Sequence, residues 1–326
     1  MPFDDIAGQE RPKAVLRRTI EKGRVPHAFL FHGIRGIGKF ETALVFAAAL
    51  NCAGPGGDAC GSCPSCVKMK AGNHPDVFVF RPDGAFIRLA AIRELQHQIQ
   101  FRPYEGKRKV FLLDEAERMN EPAANALLKT LEEPLSGNVL ILVSSRPYRL
   151  PRTVFSRCQP LRFDPLPEER IALFLEETHS AGPEEARIVA ASSGGSLERA
   201  LEALREDHRS GRKAVVERIA SCMEKKDPLD LFALPALFGE TRPEVSGILQ
   251  EIEGWCRDML VFKEQGPAAL LTCPDLAGWT ARASRLLTGK DILNAVAAVR
   301  KARESIEQNA NRQLTLESML FKLVTL

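Results

Sequence analysis

An apolar run at residues 27–33 (HAFLFHG) leads directly into Gly33-Ile34-Arg35-Gly36-Ile37-Gly38-Lys39-Phe40. The pattern G-x-x-x-x-G-K uses glycines to turn backbone N–H groups toward a phosphate chain and a lysine to reach the outer phosphates. A strand, a glycine loop and a helix in that order confine the fold to a parallel α/β sheet with its ligand at the carboxyl ends of the strands. Such a loop ordinarily continues with Ser or Thr, whose hydroxyl binds Mg²⁺. Here Phe40 stands in that place and has no ligand atom. Thr42 comes two residues later and faces another direction on the helix. Gly33, Gly36, Gly38 and Lys39 are thus the candidates for holding the phosphates of ATP. Without the hydroxyl, Mg²⁺-dependent hydrolysis is expected to be absent or very slow.

The chain continues in α/β fashion. The glycine loop is followed by a helix expected at 39–51, a strand at 76–80, and helical spacing at 88–100 through Leu89, Ile92, Leu95 and Ile99. Residues 110–113 form a continuous apolar run of the kind covered on both faces in parallel sheets. A helix follows, with Asn120 as N-cap, Pro122 in its first turn and Pro134 beyond its end. Residues 139–143 read as a further strand. A doubly wound domain is therefore expected over 1–163. After the hinge Asp164-Pro165-Leu166-Pro167, short helical segments broken at 192–195 suggest a small lid domain at 164–206. The remainder, 207–326, reads as helical throughout. Val245, Ile248, Leu249, Ile252, Trp255, Cys256, Met259 and Leu260 make one apolar stripe. Ile292, Ala295, Val296, Val299, Ala302 and Ile306 make another, and both are expected to be core.

Three further constellations carry chemistry. Asp114 and Glu115 close the apolar strand at 110–113 downstream of Lys39. A bare Asp-Glu is a solvated strand end. After such a strand and a glycine loop it reads as the pair that holds Mg²⁺ and orients the attacking water. With Phe40 present, that pair is expected to be vestigial.

Four of the eight cysteines crowd into Cys52, Cys60, Cys63 and Cys66, spaced C-x7-C-x2-C-x2-C. Two C-x2-C steps sharing a residue form a knuckle, and a fourth thiolate completes a tetrahedron around zinc. Four sulfur ligands leave no open position, so Zn²⁺ there would be structural. The alternative is four unligated thiols in a surface loop. A disulfide framework does not suit a large intracellular chain. Finally, Arg157 lies in Ser156-Arg157-Cys158, near Arg146, Arg149 and Arg152. The residues alone fit either solvated arginines or a finger that reaches a neighbouring subunit's γ-phosphate.

Composition narrows the function classes. A net charge of +3, two Trp and two Tyr give neither a strongly basic face nor stacking platforms, which counts against a stand-alone nucleic-acid binder. The acidic start lacks an apolar core of the secretory kind, and no apolar run is long enough to cross a bilayer. The expectation is a cytoplasmic protein without membrane contact.

Together these pieces resemble the clamp-loader AAA+ family of the bacterial DNA polymerase III holoenzyme. The resemblance rests on FDDIAGQE (3–10), HAFLF (27–31), the four-cysteine insertion, LLDEAERMN (112–120), NALLKTLEEP (125–134), SRCQ (156–159), and Asn309-Ala310-Asn311 followed by Leu314-Thr315-Leu316-Glu317. It implies an AAA+ domain with an inserted zinc module, a helical lid and an all-α C-terminal collar joining a pentameric ring. It further implies that Arg157 is a finger acting in trans, that Ser145 falls at the sensor-1 position and Arg199 at sensor 2, and that the cysteines form the family's zinc module. The implied partners are the gamma/tau and delta subunits and, through the complex, the sliding clamp and primer–template DNA. The motor subunits keep Thr or Ser where this chain has Phe40. The resemblance therefore favours a stator-like subunit with no ATPase or polymerase activity of its own. The alternative is an active gamma/tau-like ATPase using Lys39, Asp114 and Glu115.

Overall fold

In this computed structural model, residues 2–54, 56–179, 181–204, 206–225, 229–266, 271–273 and 276–325 are described. The strands are β1 (Ala28–His32), β2 (Val77–Phe80), β3 (Lys109–Leu113), β4 (Asn138–Ser144) and β5 (Gln159–Arg162). They form one sheet in the order β2-β3-β4-β1-β5, with every pairing parallel. Between them run α1 (Glu10–Glu21), α2 (Lys39–Asn51), α3 (Pro64–Lys70), α4 (Leu89–Gln98), α5 (Glu121–Glu132) and the single turn α6 (Arg152–Phe155). The expected elements are present within one or two residues of their predicted limits. Asn120 caps α5 by accepting from Ala123 N–H at 3.0 Å.

Alternation along each strand sends side chains to opposite faces. Phe29, Phe31, Leu112, Ile141 and Val143 pack in one cluster with Leu16 of α1 and Val45 and Phe46 of α2. Leu30, Phe111, Leu113, Leu140 and Leu142 pack in a second with Ile92 and Leu95 of α4 and Leu127 and Leu131 of α5. Helices on both faces explain why β3 and β4 are buried along their length.

Two elements of this layer are faint in the sequence. β5 contains Pro160 and buries only Leu161. It is an edge strand paired only to β1, and there a missing N–H is tolerated. α1 is capped by Gln9, which has a left-handed backbone and no side-chain cap bond, so the helix start lacks the usual signal.

The chain folds as two compact units, Met1–Phe174 with Gly195–Glu198, and Leu175–Gly194 with Arg199–Leu326. The span 164–206 contributes to both. It holds α7 (Glu168–His179), α8 (Pro183–Ser192) and α9 (Leu197–Leu204). The second unit continues with α10 (Glu206–Lys225), a 3₁₀ stretch (Leu229–Phe238), α11 (Arg242–Gln265), α12 (Ala277–Leu286), α13 (Gly289–Glu307) and α14 (Arg312–Val324). No strand occurs among its described residues. Residues 226–228, 267–270, 274, 275 and 326, also expected to be helical, lie outside them.

Both apolar stripes are core: Val245, Leu249, Ile252, Trp255, Cys256 and Met259 of α11 pack with Ile292, Ala295, Val299 and Ile306 of α13. Capping boxes start these two helices, Thr241 with Glu244 and Thr288 with Asp291. Asp258 is fully buried on α11 and accepts from Thr272 N–H and hydroxyl and from Cys273 N–H. No helix among the described residues is long and apolar enough to cross a membrane.

Candidate functional site

β1 delivers the glycine loop to the carboxyl edge of the sheet. β4 lies between β1 and β3, so residues ending these three strands converge there. Gly36 and Gly38 adopt φ +75° and +85°, in the left-handed region that a side chain resists. At Gly36 a Cβ would collide with Ser196 Oγ and Glu198 Cβ. The Gly36 carbonyl accepts from Leu197 N–H at 2.8 Å, and Arg35 makes a forked pair with Glu198. Gly36 is thus required by a segment of its own chain lying against the loop. Gln9 ties the loop from another side, donating to the Ile37 carbonyl at 3.1 Å and the Asp164 carbonyl at 2.8 Å.

Lys39 is buried and donates to the Ile34 carbonyl at 2.5 Å. Burial pushes its pKa down to about 8, opposed by Glu117, Asp114, Glu41 and Glu198. Phe40 is half-buried, and the Arg81 guanidinium lies 4.8 Å from its ring centroid. Thr42 donates its hydroxyl back to the Gly38 carbonyl at 2.6 Å, which takes it out of the ligand role, as its position on the helix predicts.

Asp114 follows β3. Burial raises its pKa, against the bond from Glu115 N–H and the nearby charge of Arg81. Arg81 Nε stands 3.6 Å from Asp114 Oδ2. Glu115 turns through a left-handed conformation, φ +48°, and pairs with Arg118 at 3.0 Å. Ser145, just past β4, donates its hydroxyl to Glu117 Oε1 at 2.6 Å and its N–H at 3.0 Å. The other oxygen, Glu117 Oε2, is buried without a hydrogen-bond partner.

Of the remaining sequence-derived residues, Arg157 follows α6. It donates to the Thr153 carbonyl at 3.1 Å and pairs with Glu132 of α5 at 2.7 Å. Arg199 belongs to the second unit. With the Gln250 amide turned so that its oxygen faces the guanidinium, it accepts from Arg199 Nε at 2.8 Å and Nη1 at 3.1 Å. Arg81, Glu117 and Glu132 were missed in the sequence, because nothing marks which exposed charge will find which partner. Only the place of Glu117 in LLDEAERMN hinted at the first cluster.

The four cysteines converge after α2, where α3 starts with Cys63 as its N-cap. Their sulfur atoms all lie within 4.8 Å of one another, with Cys52–Cys63 and Cys60–Cys66 at 4.0 Å. A tetrahedral ion with ~2.3 Å bonds to sulfur needs sulfurs ~3.8 Å apart. N–H groups point at the sulfurs: Gly54 and Cys60 to Cys52 Sγ at 3.2 and 3.3 Å, and Cys63 to Cys60 Sγ at 3.4 Å. Such bonds, from Ser62 and Cys63, lower Cys60 to about 5. Burial instead drives Cys66 up to about 12, so four adjacent thiolates need a cation among them. The set suits a metal ion. Lys107 holds the Cys52 carbonyl at 2.6 Å, and Asp58 receives Phe3 N–H and pairs with Arg17.

A family model described as DNA polymerase III, delta subunit, matches residues 8–167. The chain is 31% identical over 320 residues to DNA polymerase III subunit delta' of Bacillus subtilis strain 168, spanning 97% of this chain and 96% of that protein. DNA polymerase III subunit tau of Escherichia coli K12 is 35% identical over 228 residues, 68% of this chain and 35% of that protein. The structure of a DNA polymerase III gamma subunit-related protein from Thermotoga maritima superposes with a TM-score of 0.50 at 19% identity, covering 96% and 98% of the two chains. That last likeness is one of fold.

Proposed function

This chain belongs to the delta-prime subunit family of DNA polymerase III, and from that premise we propose that it serves as the stator-like subunit of the clamp loader, assisting a neighbour's ATP hydrolysis while performing none itself. The observation that carries the reading is Phe40. A loop that keeps Gly33, Gly38 and Lys39 but replaces the metal-binding hydroxyl with a phenyl ring has lost a ligand that hydrolysis needs. Asp114 and Glu115 are then a vestigial pair. Ser145 and Arg199 retain the sensor positions without nucleotide to sense.

The role left to the chain is that of donor. Arg157 sits in SRCQ at the end of a short turn, half-exposed and permanently charged. In the assembled loader it would reach the γ-phosphate held by a gamma/tau neighbour and stabilise charge in the transition state. Glu132 holds the guanidinium in the free chain. That pair is largely solvated and contributes on the order of 1 kcal/mol or less, so it yields readily to a triphosphate. The helices of 207–326 would form the collar that docks against gamma/tau and delta. Loading of the sliding clamp on primer–template DNA is the work of the whole assembly.

Cys52, Cys60, Cys63 and Cys66 would hold Zn²⁺, which would supply only cross-linking of the knuckle, since four sulfurs close its coordination shell. The knuckle is joined to the N-terminal segment through Asp58 and to the loop before β3 through Lys107.

The deciding experiment is Arg157→Ala in the reconstituted complex with gamma/tau and delta. DNA-stimulated ATP turnover is expected to fall on the order of 10³-fold, with assembly by size exclusion unchanged. Turnover within twofold of wild type rejects the donor role. Brisk turnover by the isolated wild-type chain rejects the stator reading altogether.

A further inference from the structure

Several side chains that a magnesium–nucleotide complex would engage at the glycine loop are already engaged by groups of this chain: Lys39 by the Ile34 carbonyl, Asp114 by Arg81, and Ser145 by Glu117. A divalent cation would lie between residue 40 and Asp114. Between those residues the structure holds Arg81, its guanidinium stacked on the Phe40 ring at 4.8 Å and its Nε 3.6 Å from Asp114 Oδ2. The fit of magnesium to these residues is poor for two reasons. One ligand position is a hydrocarbon, and the other already faces the positive charge of the Arg81 guanidinium, which a dication would have to displace.

The phosphate side is arranged in the same way. An outer phosphate in the loop would meet Lys39 and the hydroxyl of Ser145, just past β4. Glu117 faces both. Its Oε1 accepts from Ser145 hydroxyl and N–H, its Oε2 is buried with no hydrogen-bond partner, and among the carboxylates acting on Lys39 its effect is the largest. The charges of Asp114, Glu41 and Glu198 also act on Lys39, and they would oppose an incoming phosphate. Glu115, which would orient water, is turned onto Arg118. Gly36 is covered by Leu197 and Glu198.

We propose that the glycine loop is held closed by surrogates built into the chain, Glu117 standing in for a terminal phosphate and Arg81 for the divalent cation. On this reading the missing hydroxyl at residue 40 is one part of a wider replacement. Restoring it alone does not restore the site. The proposal goes beyond the donor role and does not depend on Arg157. Its failure would leave the finger intact, and failure of the finger would leave these contacts unchanged.

The test uses the full isolated chain and ATP, with binding followed by a fluorescent analogue in MgCl₂ or in EDTA. Wild type is expected to show no dependence on magnesium, and Phe40→Thr alone less than a threefold dependence. The triple variant Phe40→Thr/Arg81→Ala/Glu117→Gln is expected to bind at least tenfold more tightly with magnesium than with EDTA. A tenfold magnesium dependence in wild type or in Phe40→Thr overturns the proposal. So does a triple variant that melts cooperatively yet gains nothing. If the triple variant does not fold, two double-mutant cycles decide, Arg81→Ala with Asp114→Asn and Glu117→Gln with Ser145→Ala. Melting shifts that fail to add support the surrogate contacts. Shifts that add in both cycles refute them.

Discussion

Asp76 offers the sharpest test of how the cysteine knuckle is held. Its carboxylate is fully buried at the entrance to β2 and accepts three backbone N–H groups: Tyr104 on Oδ1 at 2.6 Å, and Glu105 and Gly106 on Oδ2 at 2.9 and 2.7 Å. These bonds clamp the loop before β3, the same loop from which Lys107 holds the Cys52 carbonyl. In Asp76→Asn only one oxygen survives. Left at the Oδ2 position it keeps two bonds without their charge, and the amide NH₂ is turned against the Tyr104 N–H. A bond to an ionised acceptor contributes about 1.5–3 kcal/mol, and an orphaned buried donor costs about 1–3 kcal/mol. The variant should therefore lose about 2–4 kcal/mol, with the loop bearing the loss first.

Hydrogen exchange at pH 7 reads that loss directly. Protection of the Tyr104–Gly106 amides should fall by about 30- to 1,000-fold, and urea unfolding should shift its midpoint at constant slope. The pH dependence has a definite sign. Burial opposes ionisation of Asp76, but the three N–H donors outweigh it and hold the carboxyl below the ordinary 3.8. Its contribution is fully present above about pH 4 and is lost as pH falls through the lowered folded value. The gap between wild type and Asp76→Asn should hold from pH 7 to pH 5 and narrow in stronger acid. Protection changed by less than threefold, or a gap that ignores acid, would refute this account of the clamp.

Other outcomes follow from the same geometry. Cys63→Ser should lose the bound metal and loosen residues 52–66, and wild type should release metal as its thiolates protonate in acid; elemental analysis showing unchanged metal in the variant rejects the zinc site. Asp258→Ala should destabilise the helical unit by about 3–5 kcal/mol, because three donors on Thr272 and Cys273 lose their acceptor. Tryptophan fluorescence reports on that unit alone, since Trp255 and Trp279 both lie within it.

The helical stripes and the α/β order were legible because burial and periodicity are local properties of a chain. Leu249 and Trp255 repeat on one face whether or not the partner helix is known. The cysteines were legible for a similar reason: only a few residue types bind metal, and C-x2-C steps leave them little freedom. β5 was not legible. With Pro160 and a single buried leucine, its strand character comes from pairing with β1.

The nucleotide loop divides along the same line. Gly33, Gly38, Lys39 and the misfit at Phe40 could be read from their order alone, since the loop is one contiguous segment whose backbone shape its glycines dictate. Which charges neutralise one another there depended on tertiary structure. Arg81 follows β2, Asp114 and Glu117 follow β3, and Ser145 follows β4, so these side chains meet only when three parallel strands are aligned in register. Electrostatic pairing decays over a few ångströms and ignores separation along the chain. The sequence therefore determined that the loop lacks a metal ligand, and the fold decided what stands in its place.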